Sequence, residues 1–345
     1  MIWIRADGGR EIGTGHIMRC LSVAGALEKL GARVCFLVAD DAAVPLLAAR
    51  GKSYRVLGSS WQEPEGELDT LLPMLQEDGR GVFLVDSYYV TADYLSRVRE
   101  LMPVCYMDDK GCSGLPVDLL INYNIFARQS LYGSESGGTD YLLGTRYVPL
   151  RQEFQDAYRP VREQVERVLI TTGGSDRYDL AGRILESVLD RPEIKDLEYC
   201  VVSGPYNRYL PRLLELERRH ENVHIYENVT HMAQLMQSCD IAVTAGGSTM
   251  YELCAVGIPI LCFSFVDNQE KIVEGFCEQK VACFGGNYLV HGESMMDGIS
   301  EQIALLQKNL QLRQERSQKE RELVDGQGAV RIAERLLCLG EIRVS

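Results

Sequence analysis

The feature that most constrains the fold is an alternation of short apolar runs with amphipathic stretches, repeated in two series along 345 residues. Runs that are apolar throughout, rather than at every second position, are typical of parallel strands covered on both faces. Their alternation with helical stretches predicts a parallel α/β fold. The predicted strands are 1–6, 33–38, 82–85, 104–107 and 119–122 in the first series, and 165–172, 199–203, 223–226, 241–244 and 258–263 in the second.

Two series of strands predict two domains, and the length suits two domains of about 150 residues. A polar stretch around Pro160 separates the series. Open parallel sheets bind ligands beyond the carboxyl ends of their strands, so we expect two Rossmann-like domains with a cleft between them. The predicted divisions are 1–155, 156–325 and a tail, 326–345, whose short helix packs back on the body. Before this tail, apolar spacing predicts an amphipathic helix over 294–324.

Charge and cysteine content narrow the class of protein. Asp and Glu outnumber Lys and Arg by 49 to 36, a net charge of −13, which is unfavourable for binding a nucleic acid backbone. The eleven cysteines form no CxxC pair, as expected for reduced thiols in a cytoplasmic protein. No apolar run approaches the roughly 18 residues of a membrane span. We therefore expect a cytoplasmic protein with neither a nucleic acid nor a membrane as partner.

A glycine-rich loop follows the first predicted strand and contains Gly13, Thr14, Gly15 and His16. It lacks the GxGxxG spacing of dinucleotide-binding loops, so we expect no nicotinamide or flavin cofactor. His16 would lie in the first turn of the following helix, at the ligand-binding edge of the sheet. This position suits a general base, and the alternative is a polar residue that only caps the helix.

Two further strand–glycine–helix turns occur in the second half. The first contains Gly173 and Gly174, and the second contains Gly247, Ser248 and Thr249. Backbone N–H groups at a helix N-terminus bind anions, so two such turns in one domain suit a diphosphate. Neither turn has the lysine of a Walker loop. The alternative is that both are ordinary connections between a strand and a helix.

Glu252 lies one turn into the helix that follows the second of these turns. A carboxylate beside a phosphate site can accept hydrogen bonds from both hydroxyls of a ribose, as in dinucleotide-binding folds. The alternative is an acidic residue that complements the dipole of its own helix.

Polar side chains end the strands of the first half, among them Asp86, Tyr88, Asp108 and Asn124. Carboxylate and amide groups there suit a sugar with hydroxyl or amide substituents. A Mg²⁺-like site made of oxygen ligands is the alternative, and we expect no metal.

These motifs together resemble the PseG family, the UDP-2,4-diacetamido-2,4,6-trideoxy-β-L-altropyranose hydrolases of pseudaminic acid synthesis. The resemblance covers residues 1–285 and, more distantly, extends to MurG and other proteins of the glycosyltransferase-B fold. It is carried by Gly13-x-Gly15-His16-x-x-Arg19-Cys20-Leu21, Asp108-Asp109 with Asn122-x-Asn124, Leu150-Arg151-x-Glu153-Phe154, Thr172-Gly173-Gly174-x-Asp176 and Gly247-Ser248-Thr249-x-x-Glu252.

The resemblance implies a glycosyltransferase-B fold and a UDP-sugar substrate, with no cofactor. UDP would bind the C-terminal domain, while the N-terminal domain would carry the sugar site and the catalytic His16, which would activate water. The implied nucleotide-binding residues are Gly173, Gly174, Gly247, Ser248, Thr249 and Glu252. The implied sugar-binding residues are Gly13, Thr14, Gly15, Asp86, Tyr88, Asp108, Asn124, Arg151, Asn268 and Gln269. Two alternatives stay open: a glycosyltransferase of the same fold, and a non-catalytic protein that binds a nucleotide-sugar.

Overall fold

The computed structural model describes residues 1–9, 12–112, 114–133 and 138–342. The chain forms two compact units, each built on one parallel sheet. Unit 1 comprises Met1–Gln152 together with the chain from Gln327 onward, and unit 2 comprises Glu153–Gly326. The predicted two-domain parallel α/β architecture is confirmed.

The sheet of unit 1 has seven parallel strands in the order β3-β2-β1-β4-β5-β6-β7. Chain order reverses beside β1, so the carboxyl ends of β1 and β4 are neighbours at a position where ligands of such sheets bind. The strands are β1 (Ile2–Ala6), β2 (Val34–Val38), β3 (Tyr54–Val56), β4 (Val82–Asp86), β5 (Val104–Met107), β6 (Leu119–Asn122) and β7 (Asp140–Leu143).

Helices cover both faces of this sheet, and β1 shows how its sequence produces that arrangement. Ile2 and Ile4 pack in a core cluster with residues of α1 and of the last helix, α13, whereas Trp3 points into the opposite cluster with α3 and α4. All three side chains are buried, which explains why the strand is apolar throughout. The helices of unit 1 are α1 (Gly15–Lys29), α2 (Val44–Ala48), α3 (Leu68–Asp78), α4 (Ala92–Arg99) and α13 (Gly328–Ile342).

The sheet of unit 2 has six parallel strands in the order β10-β9-β8-β11-β12-β13. Its chain order reverses beside β8, which places the turns after β8 and β11 at neighbouring strand ends. The strands are β8 (Arg167–Thr171), β9 (Glu198–Ser203), β10 (Val223–Glu227), β11 (Ile241–Ala245), β12 (Ile260–Ser264) and β13 (Ala282–Asn287).

The helices of unit 2 include one departure from the sequence expectation. The stretch 294–324 forms two helices, α11 and α12, which separate at Asn309. The Asn309 side chain accepts a hydrogen bond from the Leu312 N–H at 3.0 Å and so caps the second helix. The helices are α5 (Leu180–Leu189), α6 (Leu210–Arg219), α7 (Met232–Ser238), α8 (Thr249–Val256), α9 (Asp267–Glu278), α10 (Tyr288–His291), α11 (Ser294–Lys308) and α12 (Leu310–Leu323).

In the described ranges, none of these helices has both the length and the hydropathy that a bilayer span requires.

Candidate functional site

His16 is the second residue of α1 and follows the glycine loop directly. Gly13 has a φ of +80°, a backbone conformation that favours glycine, and it exchanges two hydrogen bonds of 2.9 Å with the backbone of Gly9. These bonds hold Gly13 beside Gly9, two residues before α1 begins. The imidazole of His16 is consequently buried at the carboxyl edge of the sheet, with 6% of the residue exposed.

Asp86, the last residue of β4, is the partner of the imidazole. The His16 Nδ1 lies 2.5 Å from the Asp86 Oδ1. Burial would raise the pKa of Asp86, but the charge of Arg19 and the bonds from Arg19 and His16 hold that pKa well below its usual value. An ionised Asp86 carboxylate accepts a hydrogen bond from the Nδ1–H of His16. This assigns the lone pair of the neutral ring to Nε2, which has no hydrogen-bond partner among the described residues.

Arg19 lies one turn after His16 on α1 and joins the ends of three strands. Its Nη2 and Nε bind the two oxygens of Asp86, each at 2.5 Å. Its Nη1 lies 2.9 Å from the Asp109 Oδ2, beyond β5, and 2.9 Å from the Tyr123 Oη, beyond β6. Since β4, β5 and β6 are neighbours, one guanidinium reaches all three ends.

Tyr88 forms one side of the histidine site. Its ring meets the His16 ring edge-on with centroids 4.5 Å apart, and its Oη donates to the Asp109 Oδ2 at 2.8 Å. The Lys110 Nζ lies 3.9 Å from the centre of the Tyr88 ring. Tyr88 itself is 39% exposed, so this part of the site is open to solvent.

Asp108 and Asn124 belong to a buried network beside these residues. The Asp108 carboxylate accepts hydrogen bonds from three backbone N–H groups, at 110, 111 and 112, and from the Tyr132 Oη at 2.7 Å. Asn122 donates to the same Tyr132 Oη, and its Oδ1 accepts from the Asn124 Nδ2 at 3.0 Å. These contacts hold Asp108 and Asn124 in place where the chain leaves β5 and β6. Arg151, the remaining predicted sugar residue of unit 1, is partly buried just before a short turn at Gln152–Phe154.

The glycine turns of unit 2 line one cavity of about 610 Å³. The predicted residues Gly173, Gly174, Gly247, Ser248 and Thr249 all line it, and α8 begins at Thr249 with its N–H groups toward this end of the sheet. The other lining residues are Thr172, Ser175, Arg177, Thr244, Ala245, Gly246, Phe265, Val266, Asp267, Gln269 and Ile272. Glycine turns beside a helix N-terminus are suited to an anion.

The segment after β9 packs against the segment after β8, which lines this cavity. The Tyr206 N–H donates to the Gly174 carbonyl at 3.1 Å, and a Cβ placed on Gly204 would lie 2.3 Å from the Gly173 carbonyl oxygen. Only glycine permits so close an approach of the segment after β9 to the segment after β8.

The remaining predicted residues of unit 2 separate into two groups. Glu252 is partly buried one turn into α8 and is not among the residues lining the cavity in the described part of the chain. Gln269, predicted for the sugar, instead lines the cavity of unit 2 and accepts a hydrogen bond from the Phe265 N–H at 2.9 Å. Asn268 lies in α9, and its side chain falls outside the described set.

Sequence reasoning therefore gave no role to several residues that the structure places in these sites. In unit 1 they are Arg19 and Lys110. For Arg19 a signal existed, because positions three apart on a helix share a face, and Arg19 follows His16 at that spacing. In unit 2, Arg177 is the cation among the described lining residues. Within the described ranges, no three His, Cys, Asp or Glu side chains are grouped so as to hold a metal ion.

Comparison with known proteins supports the sequence interpretation. Residues 168–336 match the glycosyltransferase family 28 C-terminal domain. The spore coat polysaccharide biosynthesis protein SpsG of Bacillus subtilis is 27% identical over 346 residues, which cover 96% of each chain. The UDP-2,4-diacetamido-2,4,6-trideoxy-β-L-altropyranose hydrolase of Campylobacter jejuni is 22% identical, over 78% of this chain and 93% of that protein. The resemblance to that hydrolase family is confirmed.

Two further comparisons bear on length and fold. An uncharacterized protein of Methanocaldococcus jannaschii is 27% identical over 75% of this chain, but the match spans only 54% of that relative. The crystal structure of Acinetobacter baumannii MurG superposes with a TM-score of 0.68 at 13% identity, covering 98% of this chain and 99% of MurG. The predicted glycosyltransferase-B type of two-domain fold is confirmed.

Proposed function

We propose that this chain is a UDP-sugar-processing enzyme of sugar biosynthesis, and that its reaction is hydrolysis of a UDP-linked diacetamido-trideoxy sugar to UDP and free sugar. The resemblance to the PseG family further implies pseudaminic acid biosynthesis as the pathway. The observation that carries the proposal is the buried pair of His16 and Asp86, whose Nδ1–Oδ1 contact leaves the Nε2 of the imidazole on the side of the ring away from the carboxylate.

The proposed reaction uses His16 as a general base. Its Nε2 takes a proton from water as the water oxygen attacks the anomeric carbon of the sugar. The bond from that carbon to the β-phosphate oxygen breaks, and the electron pair leaves with UDP. Asp86 keeps the Nδ1 proton in place and stabilises the imidazolium that forms.

Unit 2 supports the nucleotide half of the proposal. The N–H groups of the glycine turns and the N-terminus of α8 would stabilise the diphosphate as it gains charge. Such groups add nothing to a count of Lys and Arg, so a chain with a net charge of −13 can still bind a dianion. Glu252, beyond the cavity lining, is proposed to hold the ribose. The sugar is assigned to the polar residues around His16.

A glycosyltransferase reaction is the second candidate, favoured by the match of residues 168–336 to a glycosyltransferase family. In that reaction His16 would deprotonate an acceptor hydroxyl in place of water. A third possibility, binding of a nucleotide-sugar without turnover, predicts no product under any condition.

One incubation separates these candidates. The protein is mixed with the UDP-diacetamido sugar in ¹⁸O-labelled water, without an acceptor, and UDP and free sugar are followed by NMR and mass spectrometry. Hydrolysis at the anomeric carbon predicts stoichiometric release, with ¹⁸O in the free sugar and none in UDP. Release of UDP only after an acceptor is added would overturn the hydrolase in favour of the transferase. ¹⁸O in the nucleotide would place the attack at phosphorus.

A further inference from the structure

The Arg19 guanidinium makes more hydrogen bonds than the neutralisation of one carboxylate requires. Its fork binds both oxygens of Asp86, and its third nitrogen binds Asp109 and Tyr123. The side chain is 11% exposed, and the Asp86 carboxylate is fully buried. With partners on three strand ends, the guanidinium has one available orientation, and it imposes that orientation on Asp86.

The orientation of Asp86 decides the orientation of the His16 ring. The same oxygen, Oδ1, receives both the Arg19 Nη2 and the His16 Nδ1, each at 2.5 Å. If Asp86 turned about its side chain, that oxygen would leave the imidazole, and the ring would lose the contact that fixes its Nδ1 tautomer. Arg19 therefore acts on Nε2 through Asp86 without touching Nε2 itself.

Arg19 also lies beside the imidazole itself. Its Nη2 is 3.2 Å from the His16 Nδ1, so the guanidinium flanks the same ring nitrogen that meets Asp86. The other titratable or charged groups that face this pair are Tyr88, Asp109, Lys110, Tyr123 and Cys20, whose Sγ lies 3.5 Å from the Asp86 Oδ2.

We propose that Arg19 is a positioning residue that fixes the orientation and the Nδ1–H tautomer of the His16 ring through Asp86. This inference rests on the proposed function only where it concerns turnover. The orientation and tautomer of the His16 ring are properties of the free protein.

Two substitutions test this role. Arg19→Lys keeps the positive charge and loses the fork, so we expect kcat to fall about 10-fold or more with little change in KM, because Asp86 is no longer held. Arg19→Gln loses the charge as well, and we expect a fall in kcat at least as large.

The primary measurement is the tautomer of the imidazole, read from the ¹⁵N chemical shifts of the ring nitrogens in the whole protein at about pH 9, above the ordinary pKa of imidazole. The His16 signals are assigned by their loss in His16→Gln, and kcat and KM are recorded alongside. We expect the Nδ1–H tautomer in the parent and a mixture of both tautomers in Arg19→Lys. The matched control is Arg99→Gln, which removes the arginine that pairs with Asp118 at the opposite ends of the strands of the same sheet. This control should leave both the His16 tautomer and kcat unchanged.

Arg19→Lys also covers the case in which Arg19→Gln leaves Asp86 as an unpaired buried charge and does not fold, because the lysine keeps a cation beside Asp86. The proposal is overturned if Arg19→Lys retains the tautomer of the parent or its full kcat. A mixture of tautomers in Arg19→Lys, in a protein that hydrolyses no UDP-sugar, would reject the proposed function and leave the positioning inference standing.

Discussion

Gly204 and Gly173 approach so closely that a side chain on Gly204 would collide with the main chain of Gly173. The Cβ of an alanine at 204 would lie 2.3 Å from the Gly173 carbonyl oxygen and 2.5 Å from that of Gly174. One of the two segments must therefore move to accept a larger residue. The segment with Gly173 lines the cavity, and the segment with Gly204 packs against it. A shift of either segment therefore changes the cavity.

We expect Gly204→Ala to destabilise unit 2 by about 1–3 kcal/mol and to weaken UDP binding about 10-fold, because the displaced turn misaligns N–H groups of the cavity. Chemical denaturation and calorimetry with UDP measure the two effects. Gly25→Ala on α1, where a Cβ meets nothing within 4 Å, is the control and should not lower stability. Parent-like UDP affinity in Gly204→Ala would show that the turn after β9 does not shape the cavity.

For His16→Ala, we expect turnover to fall by about 10²–10⁴ while UDP affinity stays within about twofold, because the imidazole is assigned to proton transfer. Steady-state kinetics and calorimetry measure the two quantities separately. His220→Ala, at the end of α6 in unit 2, should behave like the parent. A fully active His16→Ala protein would remove His16 from the mechanism.

Glu252→Ala tests the ribose assignment. We expect UDP affinity to fall about 10-fold or more, the usual loss for hydrogen bonds to a charged acceptor. Comparison of UDP with 2′-deoxy-UDP sharpens the result, since the variant should discriminate between them less than the parent does. Glu278→Ala, at the exposed end of α9, supplies the control. Unchanged affinity and unchanged discrimination would reject the ribose role.

Glu320 on α12 gives a stability prediction that depends on pH. Burial raises the pKa of this carboxyl well above its usual value, although the Ile260 N–H and the charge of Arg316 act to lower it. A raised pKa in the folded state means that folding binds a proton. The contribution of Glu320 to stability is therefore complete below the ordinary carboxyl pKa of about 4.3 and is lost as the pH rises through the folded pKa.

We therefore expect Glu320→Gln to gain stability relative to the parent as the pH increases from about 5 to 8, by at most about 1.4 kcal/mol per pH unit. Urea unfolding at several pH values measures this difference. Glu322→Gln, exposed on the same helix, should show no such trend. A difference between Glu320→Gln and the parent that is constant with pH would show that the Glu320 pKa is not raised.

The sequence predicted the inner strands well because burial on both faces requires apolar residues throughout. It missed three strands at sheet edges, where that requirement weakens. All three residues of β3, Tyr54–Val56, are exposed, β7 begins at the exposed Asp140, and β13 contains two glycines and the exposed Phe284. Asn309 was missed as a helix break because apolar periodicity runs through it.

In the candidate site, the sequence identified features that are local in the chain. The glycine turns and His16 each lie within a few residues of a strand end, so their signal is contained in one window. The pairing of His16 with Asp86 spans 70 residues, and that of Arg19 with Asp109 spans 90. These contacts depend on which strands are neighbours in the sheet, and no local pattern specifies that order.

The inclusion of α13 in unit 1 has a consequence for the synthesis of the chain. Ala329, Ile332 and Leu336 of this helix share a core cluster with α1, although 174 residues of unit 2 lie between the two segments of unit 1. On the ribosome, unit 2 has its complete sequence once Gly326 has emerged, whereas unit 1 is complete only after the residues of α13 have been added. Unit 2 can therefore finish folding before unit 1, although the synthesis of unit 1 begins first. This is the reverse of the usual vectorial order.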